Sequence, residues 1–281
     1  MSSARPEVWY ETASGGSYRL GGGTALYAID AHGWERSASG LAITADGRSM
    51  KGQLAMGAGC SRADLDEMLA LAWADMDAGT PGALRVGEWR LRCYMLKLEP
   101  SVVTPSNALW DVTLYAPDPM WTREATTQLL LGSGTAVSAE TVDHPHDYPF
   151  DYGANVAAGA TLDVPGPLPC DLRVTFYGYA VSPYVRVAGN TYQVNVTVPE
   201  GARLTIDPTR KTSMAGDAIQ LVGRYGDVQD VFSKRLRGAE GSGSYVFERV
   251  PPGKQAVTWP QAMGVDLTVI ERRGSLPWTS F

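Results

Sequence analysis

The sequence predicts a mainly β protein with a single α-helix. Three observations lead there. Short β-rich segments, several alternating with period 2, recur along the chain. The 31 glycines and 18 prolines are spread between them as punctuation rather than gathered into one linker. Only one stretch carries a clear 3.6-residue apolar stripe. A lone helix among the strands of the first half predicts a β-barrel or sandwich with the helix packed across an opening. Strands at roughly 8–12-residue spacing in the second half predict an antiparallel β-sandwich.

In chain order, Leu41 to Thr44, Leu84 to Val86, Arg90 to Leu98 and Ala108 to Tyr115 read as strands. In the last of these Trp110, Val112 and Leu114 share a face. Between the first two lies the helix. Ser61-Arg62-Ala63-Asp64 has the form of a capping box, in which the hydroxyl accepts a free backbone N–H and the carboxylate reaches back. Leu65, Met68, Leu69, Ala72, Trp73 and Met76 then form the apolar stripe, and Gly79 and Pro81 end it.

After the turn cluster Ala116-Pro117-Asp118-Pro119, a strand-like Glu124 to Leu131 leads into a stretch rich in proline and aromatics. Met120 to Gly166 reads as a connector plus the first strands of a second domain. Asp171 to Tyr179, Tyr184 to Val187, Thr191 to Val198, Arg203 to Asp207, Ala218 to Val222 and Val265 to Glu271 are strand candidates. Gly189-Asn190 reads as the turn of a hairpin, because both residues tolerate positive φ, and Gly238 to Gly243 as a hairpin tip. No period of 20–50 residues repeats, which argues against a solenoid or propeller.

Composition excludes several classes. The 24 Lys and Arg against 30 Asp and Glu leave a formal charge of −6, the wrong sign for a protein that neutralises phosphates. No apolar run approaches the ~18–20 residues of a membrane span, and Met1 to Glu11 has no apolar core of a signal peptide. Cys60, Cys93 and Cys170 are isolated, with no C-x-x-C among them, and read as buried free thiols of a protein made in a reducing cytosol.

Chemistry-bearing motifs are sparse. Asp143, His144, His146, Asp147 and Asp151 could ligate a divalent metal, but Pro145 and Pro149 stiffen the segment and it reads better as a polar linker. His32 sits in a loop-like Ala-His-Gly with nothing to make it a catalytic base. No G-x-S-x-G, H-E-x-x-H or phosphate-loop motif occurs, and Gly21-Gly22-Gly23 reads as a flexible loop. No catalytic, cofactor-binding or metal residue is assigned, and no cofactor is expected.

The second half carries Gly189-Asn190-Thr191-Tyr192, then Val198-Pro199-Glu200-Gly201-Ala202-Arg203-Leu204-Thr205-Ile206-Asp207, then Val250-Pro251-Pro252-Gly253-Lys254-Gln255 and Leu276-Pro277-Trp278. This order of turn and strand signatures resembles the distal tail proteins (Dit) of long-tailed, non-contractile bacteriophages. Ala116-Pro117-Asp118-Pro119-Met120-Trp121 resembles the end of that family's first domain. The likeness spans nearly the whole chain, though Met1 to Thr44 matches weakly and the His144/His146 stretch departs from it. The resemblance implies a ring-forming split β-barrel with one packed helix over 1–118, related to tail-tube folds. A connector with first strands over 119–165 and an outer galectin-like antiparallel β-sandwich over 166–281 would follow.

It further implies a non-enzymatic virion protein of the siphovirus tail tip, made in the bacterial host cytoplasm. The implied homohexameric ring joins the tail tube protein to the tail-associated hub protein, offers its outer domains to receptor-binding proteins, and lets DNA and the tape-measure protein pass without specific binding. Acidic walls in the first domain would repel that DNA. Two other readings start from the 8 tryptophans, 13 tyrosines and 30 acids. One is a carbohydrate-binding sandwich with Tyr177, Tyr179, Tyr184 or Trp259 stacked on a sugar. The other is a glycoside hydrolase with two opposed carboxylates.

Overall fold

The computed structural model describes residues 8–20, 27–28, 48–56, 62–103, 108–129, 135–136, 157–210, 218–260 and 262–276. The strands of the first half are β1 (Val8–Glu11), β2 (Ser17–Arg19), β3 (Tyr27–Ala28), β4 (Arg48–Met56), β5 (Gly82–Val86), β6 (Trp89–Val103) and β7 (Ala108–Ala116), with the helix α1 (Arg62–Asp77). Then come β8 (Trp121–Leu129), β9 (Thr135–Ala136), β10 (Ala157–Val164), β11 (Asp171–Tyr177), β12 (Ala180–Val181), β13 (Tyr184–Val187) and β14 (Asn190–Gln193). The last are β15 (Thr197–Val198), β16 (Arg203–Ile206), β17 (Ile219–Val222), β18 (Val228–Asp230), β19 (Gly253–Pro260) and β20 (Gly264–Arg273). All the recorded strand pairings are antiparallel. The protein is mainly β with one α-helix among the described residues, as the punctuation and alternation predict.

The chain divides into two compact units. Unit 1 comprises Met1–Arg123 with Arg272–Phe281, and unit 2 comprises Glu124–Glu271. In unit 1 two ladders share β6: β2-β1-β5-β6 and β3-β4-β7-β6. One strand serves both because it is 15 residues long and its register to β7 shifts at Met95/Lys97 and again at Pro100/Val102. Such irregularities bend a strand and increase its twist. Tyr10, Leu84, Leu91, Cys93 and Met95 point to one side and form the core with Leu65, Met68 and Ala72 of α1, and with Val112, Leu114 and Trp121.

α1 ends as the glycine predicts. Gly79 has φ +66°, its N–H bonds the Met76 carbonyl at 3.0 Å, and the Thr80 N–H reaches back to the Asp75 carbonyl at 3.0 Å. That is a Schellman closure. Ser61, expected to open the helix, lies outside the described residues, as does the strand expected at Leu41 to Thr44. The buried face is Leu65, Met68, Ala72 and Asp75, not the full apolar stripe. Trp73 turns out to be 54% exposed, a correction to the sequence reading. Asp75, the buried polar member, accepts the Ala13 N–H at 2.8 Å and so ties the helix to the β1–β2 turn.

Unit 2 is a β-sandwich. One sheet runs β18-β17-β16-β11-β20-β8 and the other β14-β13-β19-β10-β9, with β12-β15 as a short ribbon. Leu172, Val174, Phe176, Leu204, Ile206 and Leu267 from the first sheet share a core with Leu162, Val185, Val187, Tyr192, Val257 and Trp259 from the second. Each strand contributes alternate residues, as packed sheets require.

The expected hairpin at Gly189-Asn190 is displaced by one residue. Val187 pairs with Asn190, so the turn is Ala188-Gly189, with φ +51° and +83°. Both central residues are left-handed, the form whose twist suits a two-residue hairpin. Asn190 is released from the turn to become a clamp: its amide donates to the Tyr245 carbonyl at 2.8 Å and its oxygen accepts the Tyr245 N–H at 3.2 Å. The Thr191 N–H to Gly243 carbonyl bond at 2.9 Å and the Leu236 N–H to Gln193 carbonyl bond at 3.0 Å continue this cover along β14. A free edge is thereby closed by the protein's own loop. Asn190→Ala, which removes both bonds to Tyr245 although the Tyr245 carbonyl keeps the Glu248 N–H at 3.1 Å, should cost about 2 kcal/mol in urea unfolding.

Cys93 and Cys170 are buried thiols, and Cys60 lies outside the described residues. Burial pushes the Cys93 thiol from 9.0 up to about 12, and burial likewise raises the phenols of Tyr10 and Tyr192. These acids hold their protons in the folded state more tightly than in the unfolded one. Between roughly pH 9 and 12 the unfolded chain therefore binds fewer protons, and stability falls as pH rises, by up to about 1.4 kcal/mol per pH unit for each such group. Melting temperature should be flat near pH 8 and drop above pH 9. A thiol reagent should find Cys93 unreactive until the protein unfolds.

Candidate interaction surfaces

On the side of the β1/β5/β6 ladder opposite its buried residues, the register builds a row from four strands. Arg19 of β2 faces Trp9 of β1, Trp9 faces Arg85 of β5, and Arg85 faces Arg90 of β6. The guanidinium carbons of Arg19 and Arg85 lie 6.0 and 5.4 Å from the Trp9 ring centre, within cation–π range. Glu11, in the next row of β1, ion-pairs with Arg85 at 2.7 Å and with Arg90. Arg92, exposed, stands in that same next row across from Ala83. Four arginines to one glutamate make this face cationic in a chain of net charge −6.

The other side of unit 1 has the opposite sign. Asp66, Trp73 and Asp77 of α1 are exposed and fall at i, i+7 and i+11, one line along the helix surface. The exposed Ala70 and Ala74 flank Trp73 with little side chain. Burial, and then the Glu67 carboxylate that accepts the Tyr18 hydroxyl, raise the pKa of the Tyr18 phenol. The acids of the first domain, expected on a channel wall, thus include a group on this helix.

In unit 2 the tyrosines proposed for sugar stacking separate from the tryptophan. Trp259 is 1% exposed and belongs to the core, a correction to its reading as a stacking platform. The Tyr177 hydroxyl donates to Asp266 at 2.9 Å; burial and this carboxylate raise its pKa. Tyr179 and Tyr184 are exposed. At the β17–β18 turn Tyr225 is 93% exposed. Gly238 to Gly243 forms a hairpin tip, with Arg237 bridging to Tyr245 and the Gly241 N–H bonded to the Glu248 carboxylate at 2.7 Å.

Buried carboxylates that a hydrolase reading needs are engaged structurally. Asp207 pairs with Arg173 at 3.1 Å and caps the Thr209 N–H at 3.0 Å, while Arg173 also holds Glu124 at 2.8 Å. Asp171 pairs with Arg249 at 3.0 Å. Among the described residues no group of three or more His, Cys, Asp or Glu side chains is placed to hold a metal, and no helix is long and apolar enough to cross a membrane. His32 and the Asp143-to-Asp151 segment with His144 and His146 lie outside the described residues.

No family profile matches the chain, and no curated protein matches it. Solved structures do. The Dit protein of phage SPP1, described as a paradigm of the hub adsorption apparatus of phages infecting Gram-positive hosts, aligns at a TM-score of 0.50 and 12% identity over 95% of this chain and 99% of its own. A chain of the phage p2 baseplate in its activated conformation with strontium aligns at 0.53 and 10% identity, over 96% and 99%. One from the same baseplate with calcium aligns at 0.50 and 10%, over 97% and 99%. These fold neighbours are structural hub and baseplate proteins of phages, not enzymes.

Proposed function

We propose that this chain is a subunit of the hub at a phage tail tip, and that copies of it close into a ring, most simply a homohexamer, around a channel for DNA. The observation that carries this reading is the fold likeness to phage hub and baseplate proteins along 95% or more of the chain. Unit 1 is the ring-forming part, and unit 2 is the outer sandwich that offers surfaces to receptor-binding proteins. The tail tube protein and the tail-associated hub protein are the partners above and below, and the tape-measure protein passes within. The role is architectural: it needs defined edges and faces, not a reactive group.

Two features, one in each unit, support assembly through defined faces. The cationic face of unit 1 on the β1/β5/β6 ladder and its acidic face on α1 lie on opposite sides, so a contact between them is heterologous, which makes a ring where the rotation between subunits closes. In unit 2 the β14 edge is already occupied by the protein's own loop, which directs further association elsewhere. Negative-stain images of the purified protein should show an annulus with a central hole, with a discrete multiple of 30.1 kDa by native mass spectrometry. A monomer at high concentration and moderate salt would overturn the reading.

A further inference from the structure

We propose that the ring closes head to tail through unit 1: Asp66, Trp73 and Asp77 on α1 of one subunit seat on the Arg19–Trp9–Arg85–Arg90 row of the next. The proposal rests on the ring reading above and names the surface that closes it. Its occupant is a second copy of this chain, argued from charge complementarity.

The two rows match in kind. One presents acid, indole, acid along a helix; the other presents arginine, indole, arginine, arginine across four strands. They cannot meet within one subunit. The side chains of Tyr10, Leu84 and Leu91 turn towards α1 and share its core. Trp9, Arg85 and Arg90 alternate to the opposite side of the same strands. A contact between the rows therefore joins different subunits.

Trp73 is the anchor. A tryptophan 54% exposed on a helix whose other exposed residues are small or acidic has no packing duty in its own subunit that burial would explain. Half-buried tryptophans and arginines of this kind dominate the energetics of interfaces. Ala70 and Ala74 beside it let a partner surface approach closely. The receiving row is preorganised: Glu11 and the Trp9 ring hold the Arg85 guanidinium from two sides, so little side-chain freedom remains to be lost on docking. Trp73 can lie against these guanidinium planes while Asp66 and Asp77 meet the flanking arginines. Nucleic acid is the other anion that suits an arginine row, but the net charge of −6 opposes it.

The test uses two charge-reversed forms of the full chain, R90E/R92E and D66K/D77K, with all four positions exposed. Wild type is expected to form rings by native mass spectrometry and mass photometry. Each variant alone is expected to remain monomeric, with a melting temperature within a few degrees of wild type. Mixed in equal amounts, the two should regain the ring, because every alternating contact again joins opposite charges. Trp73→Ala should raise the concentration needed for assembly at least tenfold while leaving the melt unchanged, and it serves as the readout should a charge variant fail to fold.

Variants that assemble like wild type overturn the proposal and leave the ring reading standing. So does a mixture of two folded variants that stays monomeric. Loss of single-stranded DNA retention by R90E/R92E with unchanged rings assigns the row to phosphates and overturns the subunit contact. A wild type that never assembles overturns the ring reading, and this proposal with it.

Discussion

Met68→Asp is expected to destabilise unit 1 by about 4 kcal/mol or more, enough to unfold it at ordinary temperatures. Met68 is fully buried between α1 and the strands that carry Tyr10, Leu91 and Cys93. The substitution removes the transfer free energy of a large thioether and puts a carboxylate where no cation is among the core residues. Met68→Leu, which nearly conserves volume, should cost under about 1.5 kcal/mol. Urea unfolding of both variants measures the difference; a Met68→Asp protein that unfolds at the wild-type midpoint would mean that α1 does not pack on this face. Leu69, one position on, is only partly buried, so an aspartate there is expected to cost less.

Gly82→Ala should be nearly as damaging, for a steric reason. A Cβ at Gly82 would stand 2.5 Å from the Glu11 carbonyl oxygen and 3.0 Å from the Tyr10 hydroxyl. The first is backbone and cannot swing away, so β1 and β5 must move apart. We expect a loss of about 3 kcal/mol. Gly87 is the control: its φ of +58° strains an alanine, but nothing lies within 4 Å of the added carbon. Gly87→Ala should cost only about 1 kcal/mol. Gly82→Ala also separates Trp9 from Arg85, so assembly should suffer beyond the fall in stability, whereas Gly87→Ala should assemble normally. Equal costs for the two alanines would show that β1 yields freely at this point.

The helix was legible because a 3.6-residue stripe and a glycine stop are local signals, and both hold at Met68 and Gly79. The strands with clean alternation were equally plain, as at Tyr184 to Val187, which is β13. Alternation fails where composition hides it. β10 opens on Ala-Ala-Gly-Ala and β4 carries Lys51 and Gly52 at its middle, so neither shows clean alternation, and β10 is legible only as part of the connector with first strands over Met120 to Gly166. Thr191 to Val198 reads as one strand but is two, because Val194 leaves β14 to bridge with Arg235 and the Asn195 N–H bonds the Lys234 carbonyl at 2.9 Å.

The surfaces were less accessible to sequence reasoning than the elements. Trp73 satisfies the helical stripe by its spacing, and only the packing shows that the stripe is wider than the face the core can cover. Trp259 reads equally as core or platform until its neighbours are known. The arginine row was not readable at all. Arg19, Trp9, Arg85 and Arg90 become neighbours through the registers of three separate strand pairs, and none of those registers is a local property of the chain.

Unit 1 is completed from both directions along the polypeptide. Arg272 returns to pair with Asp118, and Arg273 stacks on Trp89 at 5.5 Å, on the ring that Arg123 approaches at 5.2 Å. During synthesis the sandwich of unit 2 is therefore fully translated before the residues that finish unit 1 leave the ribosome. Until then unit 1 lacks the Arg272–Asp118 pair and the Arg273–Trp89 contact, so its last internal contacts form only after the whole of unit 2 has been made.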